Sequence, residues 1–279
     1  LLDNKKIIDS KLLSDSFGIN CLKIVNEDNK KFIVKYYYKK KYEFNAIKSE
    51  IDNLIYYNNN NFNFFPRIIS YNDYLVIMSF IDNNNNQPNK INDDLLEAII
   101  SLHSKNSINY GFDFDTQIGG LRQINSYSKN WIEFYRDKRL YFIFNLINKK
   151  QPMDSAINTK IDLLLKNLNN FIPNNPKPSL LHGDLWEGNI LFKNKKFSGF
   201  IDPGSFFGHN ELEVSYLRWF DPLFIDKNFL DRYNDYINID KNYLEYEPIY
   251  QLYYSLLNVY LWDRSFVKNV RKLLGKIKI

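Results

Sequence analysis

The sequence predicts an α+β chain with a small, mainly β N-terminal lobe and a larger, mainly α C-terminal lobe. Three observations carry this. Short β-branched and aromatic runs dominate up to residue 81. Helical periodicity takes over after residue 90. Between them "DNNNNQPNK", 82–90, has a proline, an asparagine run and no periodicity, the composition of a loop or linker. The expected lobes are therefore 1–81 and 82–279.

Each element follows from its pattern. "CLKIV" and "KFIVKYY", separated by the polar "NEDNK", predict a β-hairpin over about 21–37. "YEFNAIKSEIDNLIYY" places Ile47, Ile51, Leu54 and Ile55 at helical spacing, with Glu50 beside that stripe. "RIISYNDYLVIMSFI" reads as two strands around an Asn72–Asp73 turn. In "NDDLLEAIISLHSK" Asn92 is a natural N-cap and acids fill the first turn. Helical spacing returns over 128–148 and 155–171, and "IPNNPKP" ends it. Two strand-like runs, "NILF" and "KFSGFIDPG", then precede helices that run to the C-terminus. No internal repeat is present.

The bulk properties bound the function. With 279 residues, 44% hydrophobic and 25% charged, the chain can bury a sizeable core. The net charge of +5 suits a phosphate-bearing ligand and a self-repelling surface equally. "YYYKKKYEF", 36–44, is the one basic run and reads as a solvated surface, so no nucleic-acid partner is expected. A single cysteine, Cys21, excludes an intramolecular disulfide and a cysteine-based zinc site. The three histidines are far apart and lack metal-ligand spacing. No apolar run approaches the ~18–20 residues of a membrane span. The first ten residues lack the apolar stretch of a signal peptide. A soluble cytoplasmic protein without a membrane partner is the expectation, as a monomer or weak dimer.

"LLHGDLWEGNILF", 180–192, encloses a polar knot between two apolar runs, which is costly unless the knot is paired or used. Asn189 lies five residues after Asp184, and Asp202 follows the next strand-like run. That is the order of kinase-like phosphotransferases: a base for the substrate hydroxyl, an oxygen ligand for Mg²⁺, and an acid that holds the metal against phosphates. Hard Mg²⁺ takes such oxygen ligands. Lys35 on a strand and Glu50 on the following helix match the phosphate-gripping lysine and its orienting glutamate, although alone they read as surface residues. "SDSFGIN", 14–20, stands where a phosphate-covering loop would, but offers only Gly18, with Ser14, Ser16 and main-chain amides as substitutes.

With "IDPGSFFGHNELEVSYL" after it, the knot closely resembles the fructosamine kinase (ketosamine-3-kinase) family of the aminoglycoside phosphotransferase-like group. "GFDFDTQIGGLRQINSYSKNWIEFYRDKRL", 111–140, and "YQLYYSLLNVYLWDRSF", 250–266, extend the likeness over nearly the whole chain. The resemblance implies a bilobal protein-kinase-like fold and ATP- and Mg²⁺-dependent phosphorylation of O3 of ketoamines, as small molecules or on glycated proteins, with loss of the sugar afterwards. It implies Asp184 as base, Asn189 and Asp202 as metal ligands, and Lys35 as phosphate ligand oriented by Glu50. Ser16 and Gly18 would face the nucleotide, and Ser79, Phe80 and Ile81 would offer adenine main-chain contacts. Trp186 is its substrate candidate, an aromatic face suiting the apolar face of a sugar. From the residues themselves, His209 could bind substrate or tie down its loop, and Glu211 and Glu213 could meet a cationic amine. The sequence departs from the family in its glycine-poor loop, in Asn130 before the helix tryptophan, and in Val259–Tyr260 and Trp262–Asp263.

Other readings stay open. One is a kinase for another hydroxylated amine, of the aminoglycoside or choline type, and another is a nucleotide-binding pseudokinase. A two-metal phosphatase lacks the further His and Asp ligands it would need. His182 and His103 read as structural, and Glu213 as a cap or internal pair.

Overall fold

The computed structural model describes residues 5–40 and 43–278. Lys41 and Tyr42, inside the basic run 36–44, lie outside the described residues. The elements in chain order are β1 (Ile7–Ser16), β2 (Ile19–Asn26), β3 (Lys31–Tyr37), α1 (Ala46–Asn59), β4 (Ile68–Asn72), β5 (Leu75–Ser79) and α2 (Asp93–Ser104). Then come β6 (Thr116–Ile118), β7 (Leu121–Gln123), α3 (Trp131–Tyr135), a π-helical turn over Arg136–Leu140, α4 (Tyr141–Lys150), α5 (Ser155–Lys166) and β8 (Pro178–Leu181). The chain ends with β9 (Ile190–Lys193), β10 (Lys196–Phe200), β11 (Phe206–His209), α6 (Asn210–Trp219), α7 (Phe229–Asn234), α8 (Tyr243–Leu261) and α9 (Val267–Leu274).

Two compact units result. The first comprises the described residues of Leu1–Pro88 with Phe114–Gln123 and Gly188–Ser205, and the second holds the rest. The division is less simple than a cut at residue 81, because two later segments fold with the N-terminal part. The asparagine-rich stretch is also more than a spacer. The amides of Asn84 and Asn85 donate to the Phe192 carbonyl at 3.0 and 3.1 Å, and Asn84 Oδ1 accepts from the Asn194 amide at 3.0 Å. Its polar side chains and free amides cap the β9–β10 turn, a pairing over about a hundred residues that composition alone does not reveal.

The first unit is an antiparallel five-stranded sheet, ordered β1-β2-β3-β5-β4. Alternation sets its faces. Ile24, Val34 and Ile77 form a core on one face, with Leu22, Phe32, Tyr36 and Leu75 around it. Lys35 therefore points to the other face, in register with Cys21 and Val76. Helix α1 begins at an Asn45 cap whose side chain accepts from the Lys48 amide, and its Ile47, Ile51 and Leu54 are fully buried. Glu50 shares that buried stripe.

The second unit is mainly helical. Its core is aromatic: Trp131, Phe134, Tyr135 and Tyr250 are fully buried, and Trp131 Nε1 donates to the Tyr250 hydroxyl at 3.0 Å. Strand β8 pairs antiparallel with β11, which joins the chain before the polar knot to the chain after Asp202.

Candidate active site

In the first unit the structure brings together Lys35, Glu50 and Asp202. Lys35 Nζ donates to Glu50 Oε1 at 2.7 Å and also bonds Asp202 Oδ1. The side chains of Lys35 and Glu50 are 12% and 7% exposed, whereas that of Asp202 is 40% exposed. Burial alone would lower the lysine's pKa, but the two carboxylates outweigh it and hold the ammonium protonated, well above its usual range. Lys35 is thus a fixed cation with one buried and one accessible carboxylate partner.

Asp202 is placed by its neighbours on both sides. Before it, β9 and β10 pair as the expected hairpin, and the Ile201 amide donates to the Asn189 carbonyl at 3.1 Å. Asn189, 5% exposed, is thus fixed one residue from the acid. Asp202 itself has φ +57°, a left-handed conformation that Asp tolerates better than most side chains and that costs of order 1 kcal/mol or more. After it, the Gly204 carbonyl accepts from Thr116 Oγ1 and Gln123 Nε2 at 3.2 and 3.0 Å. A Cβ at Gly204 would lie 2.3 Å from the Gln117 carbonyl oxygen, so only glycine lets the β6–β7 hairpin approach. The Ser205 amide donates to Asn53 Oδ1 at 3.1 Å, which ties this segment to the helix of Glu50.

The expected phosphate-covering stretch is a tight hairpin. Ser16 pairs with Ile19 across Phe17 and Gly18, both at positive φ (+55° and +81°), as a type I′ turn requires. Glycine takes that conformation freely, and the Gly18 carbonyl accepts the amides of Tyr38 and Lys39. Ser79 closes β5, with its amide on the Arg67 carbonyl at 2.8 Å. Phe80 and Ile81 follow outside the strand; Lys23 Nζ lies 5.1 Å from the Phe80 ring centroid, and the Ile81 carbonyl accepts from Asn83 at 2.8 Å. Cys21, next to Lys35, has its thiol pushed up to about 11 by burial, with Lys35 opposing the shift.

The second unit holds Asp184 and its supports. Fully buried His182 accepts the Asp184 amide on Nδ1 at 3.3 Å. Glu213, 1% exposed, receives the His182 amide on Oε2 at 2.9 Å and the Gly183 amide on Oε1 at 2.7 Å. His103 Nε2 lies 3.0 Å from Glu213 Oε2, and its Nδ1 is 2.7 Å from the Tyr233 hydroxyl. Burial opposes the charge on Glu213, but bonding to His103 and the fields of His103 and His182 hold its carboxyl below the usual range. Trp186, at 36% exposure, is the accessible aromatic beside Asp184 in sequence, and its ring neighbours that of Phe220, 6.2 Å between centroids.

Two expected substrate residues, His209 and Glu211, make internal contacts in the second unit. His209 is buried, with Nδ1 2.7 Å from the Tyr250 hydroxyl, and burial followed by His103 lowers its pKa to about 3. Glu211 is buried too; it accepts the Asp240 amide at 2.7 Å and bonds the Tyr246 hydroxyl. Both side chains are committed inside the helical unit, because "GHNELE" spans the junction of β11 and α6 rather than an open loop. Glu213, read from sequence as a cap or internal pair, is the anchor of the loop backbone, and the residue sequence reasoning missed is Tyr216, whose hydroxyl lies 3.3 Å from Asp184 Oδ1. Nothing local in the sequence marks Tyr216.

A five-stranded β unit with a Lys–Glu–Asp cluster, and a mainly helical unit whose Asp184 loop is anchored through its backbone by Glu213, define the protein-kinase-like fold. Solved structures agree on the fold. One from Haemophilus somnus carrying the fructosamine-3-kinase name superposes with a TM-score of 0.83 at 24% identity, over 99% of this chain and 92% of that one. The choline kinase LicA of Streptococcus pneumoniae gives 0.67 at 12% identity, over 97% and 94%. The chain belongs to the fructosamine kinase family, whose sequence model matches residues 11–279. Among curated proteins it is 35% identical over 192 residues to the chloroplastic protein-ribulosamine 3-kinase of Arabidopsis thaliana, covering 66% of this chain and 56% of that protein. The matches span between about half and two thirds of the length of such relatives.

Proposed function

We propose that this protein is an ATP-dependent ketosamine 3-kinase, transferring a phosphoryl group to O3 of ribulosamines or fructosamines carried by small amines or proteins. The observation that carries the reading is the buried Lys35–Glu50 pair reaching Asp202, in a chain of this family. Lys35 binds the nucleotide phosphates, and Glu50 keeps its ammonium in place. Ser16 and Gly18, at the β1–β2 turn, cover the phosphates with main-chain groups. Ser79, Phe80 and Ile81 line the adenine. Trp186 offers its face to the sugar or its amine substituent.

Asp184 accepts the proton of the sugar hydroxyl. The hydroxyl oxygen forms its bond to the γ-phosphorus as the bond from that phosphorus to the bridging oxygen breaks, and the electron pair leaves with ADP. Protonated Lys35 offsets charge on the phosphates. Asn189 and Asp202 would hold Mg²⁺. Two oxygen donors are too few for an all-protein cage, and among the described residues no group of three or more His, Cys, Asp or Glu forms one. That set fits a hard ion that takes its other ligands from phosphates and water. When bound, the ion would neutralise phosphate charge.

The relatives' names favour ribulosamine and ketoamine acceptors over aminoglycosides or choline. No helix among the described residues is long and apolar enough to cross a membrane. The location we propose is cytoplasmic, with ketoamines as partners and a monomer or weak dimer as the assembly. The test is ADP release with Mg²⁺ against a panel of ribulosyl-lysine, fructosyl-lysine, choline and an aminoglycoside. Release with the ketoamines alone supports the reading. Release with only another acceptor, or ATP binding without any release, refutes it.

A further inference from the structure

Helix α6 carries Glu213 and Tyr216 three residues apart, so both lie on one face of the helix. Glu213 fixes the backbone of His182 and Gly183, and Tyr216 reaches the side chain of Asp184. One turn of one helix thus addresses both the main chain and the carboxylate of the candidate base. The tyrosine is itself held. Its ring lies flat on that of Tyr254 from α8, with centroids 3.6 Å apart and planes within 2°, and only 6% of the residue is exposed. A phenol clamped in this way has little freedom in χ1 or χ2, so its hydroxyl has a defined position.

A carboxylate serves as base only when an oxygen lies close to the proton it takes, and an error of 1 Å can cost about 100-fold in rate. A donor on one oxygen fixes the plane of the group. The 3.3 Å separation is longer than an ideal O–H···O contact, and hydrogen bonds at such sites commonly tighten once substrate is bound. We infer that Tyr216 is a positioning residue: its hydroxyl donates to Asp184 Oδ1 and holds the carboxylate in the orientation that receives the proton of the sugar hydroxyl. This rests on the ketosamine kinase reading. Within the helical unit the titratable groups around Asp184 include Tyr216 and Tyr253, with the His182 ring on its backbone amide.

Tyr216→Phe removes the hydroxyl and keeps the ring stack. Its kcat falls about 10-fold while KM for ATP stays within about 2-fold, since the lost contact acts on the base alone. Tyr216→Leu removes the stack as well and falls further. A second readout needs no turnover: the ¹³C carboxyl signal of Asp184, assigned with Asp184→Asn, titrates at higher pH in Tyr216→Phe, because a donor to the charged form is gone. A wild-type kcat with an unmoved carboxyl titration overturns the inference. So does a Tyr216→Phe protein whose melting temperature and ATP affinity fall together with kcat, which marks a structural role. If wild type phosphorylates no ketoamine, the functional reading fails and the positioning role with it, while the carboxyl signal still decides whether the contact exists.

Discussion

Replacing Glu213 with Gln is the sharpest test of how the loop that carries Asp184 is held. The carboxylate is buried and accepts the His182 and Gly183 amides on different oxygens, with His103 beside the first. In Glu213→Gln one of those oxygens becomes an NH₂ group, so at least one backbone N–H faces a donor. An unsatisfied buried donor costs about 1–3 kcal/mol, and loss of charge assistance on the surviving bond adds roughly 1 kcal/mol. The total of about 2–4 kcal/mol lowers the melting temperature of a chain this size by about 4–8 °C. The carboxyl is held below its usual range in the fold, so its contribution is present above the unfolded pKa and lost as pH falls through the folded one. The difference between wild type and Glu213→Gln should therefore be full near pH 7 and shrink below about pH 4.5. Differential scanning calorimetry from pH 3.5 to 7.5 reads both. A Gln variant melting within 1 °C of wild type at pH 7, a margin below about half a kcal/mol, would refute the anchoring argument.

Three further outcomes follow from the β unit. Lys35→Met leaves Glu50 and Asp202 without their shared cation and should weaken ATP binding at least about 10-fold by calorimetric titration; unchanged affinity contradicts the phosphate role. Gly204→Ala forces a Cβ against the Gln117 carbonyl and should destabilise the fold by about 1–3 kcal/mol in urea unfolding, with a null effect showing that the hairpin yields freely. At pH 8 the raised pKa of Cys21 leaves about 100-fold less thiolate than an unshifted thiol, so alkylation in the folded protein should be slower than in urea by at least that order. Equal rates would mean that the thiol is not buried as described.

What the sequence disclosed depended on range. The 21–37 hairpin, helix α1 and the Asn92 cap are local patterns of alternation, stripe and cap, and they stand where expected. Strand β1 escaped notice because all ten of its residues are exposed and its apolar and polar positions do not alternate. The proximity of Lys35 to Asp202, 167 residues away in sequence, was suggested by motif order and resemblance, never by periodicity. Glu213, His103 and Tyr216 were illegible as a group, because their partners lie 30 or more residues away and buried acids look like surface acids in a sequence. The internal partners of His209 and Glu211 were hidden for the same reason: a polar segment after Asp202 reads as a substrate loop until its partners in α8 are seen.

The most direct measurement of the central claim is phosphorus NMR of ribulosyl-lysine incubated with ATP, Mg²⁺ and either wild-type protein or Asp184→Asn. The account predicts a new signal coupled to the proton on C3 of the sugar with wild type, and none at comparable times with the variant, which still binds ATP. A phosphate on another oxygen, or equal turnover by Asp184→Asn, would contradict it.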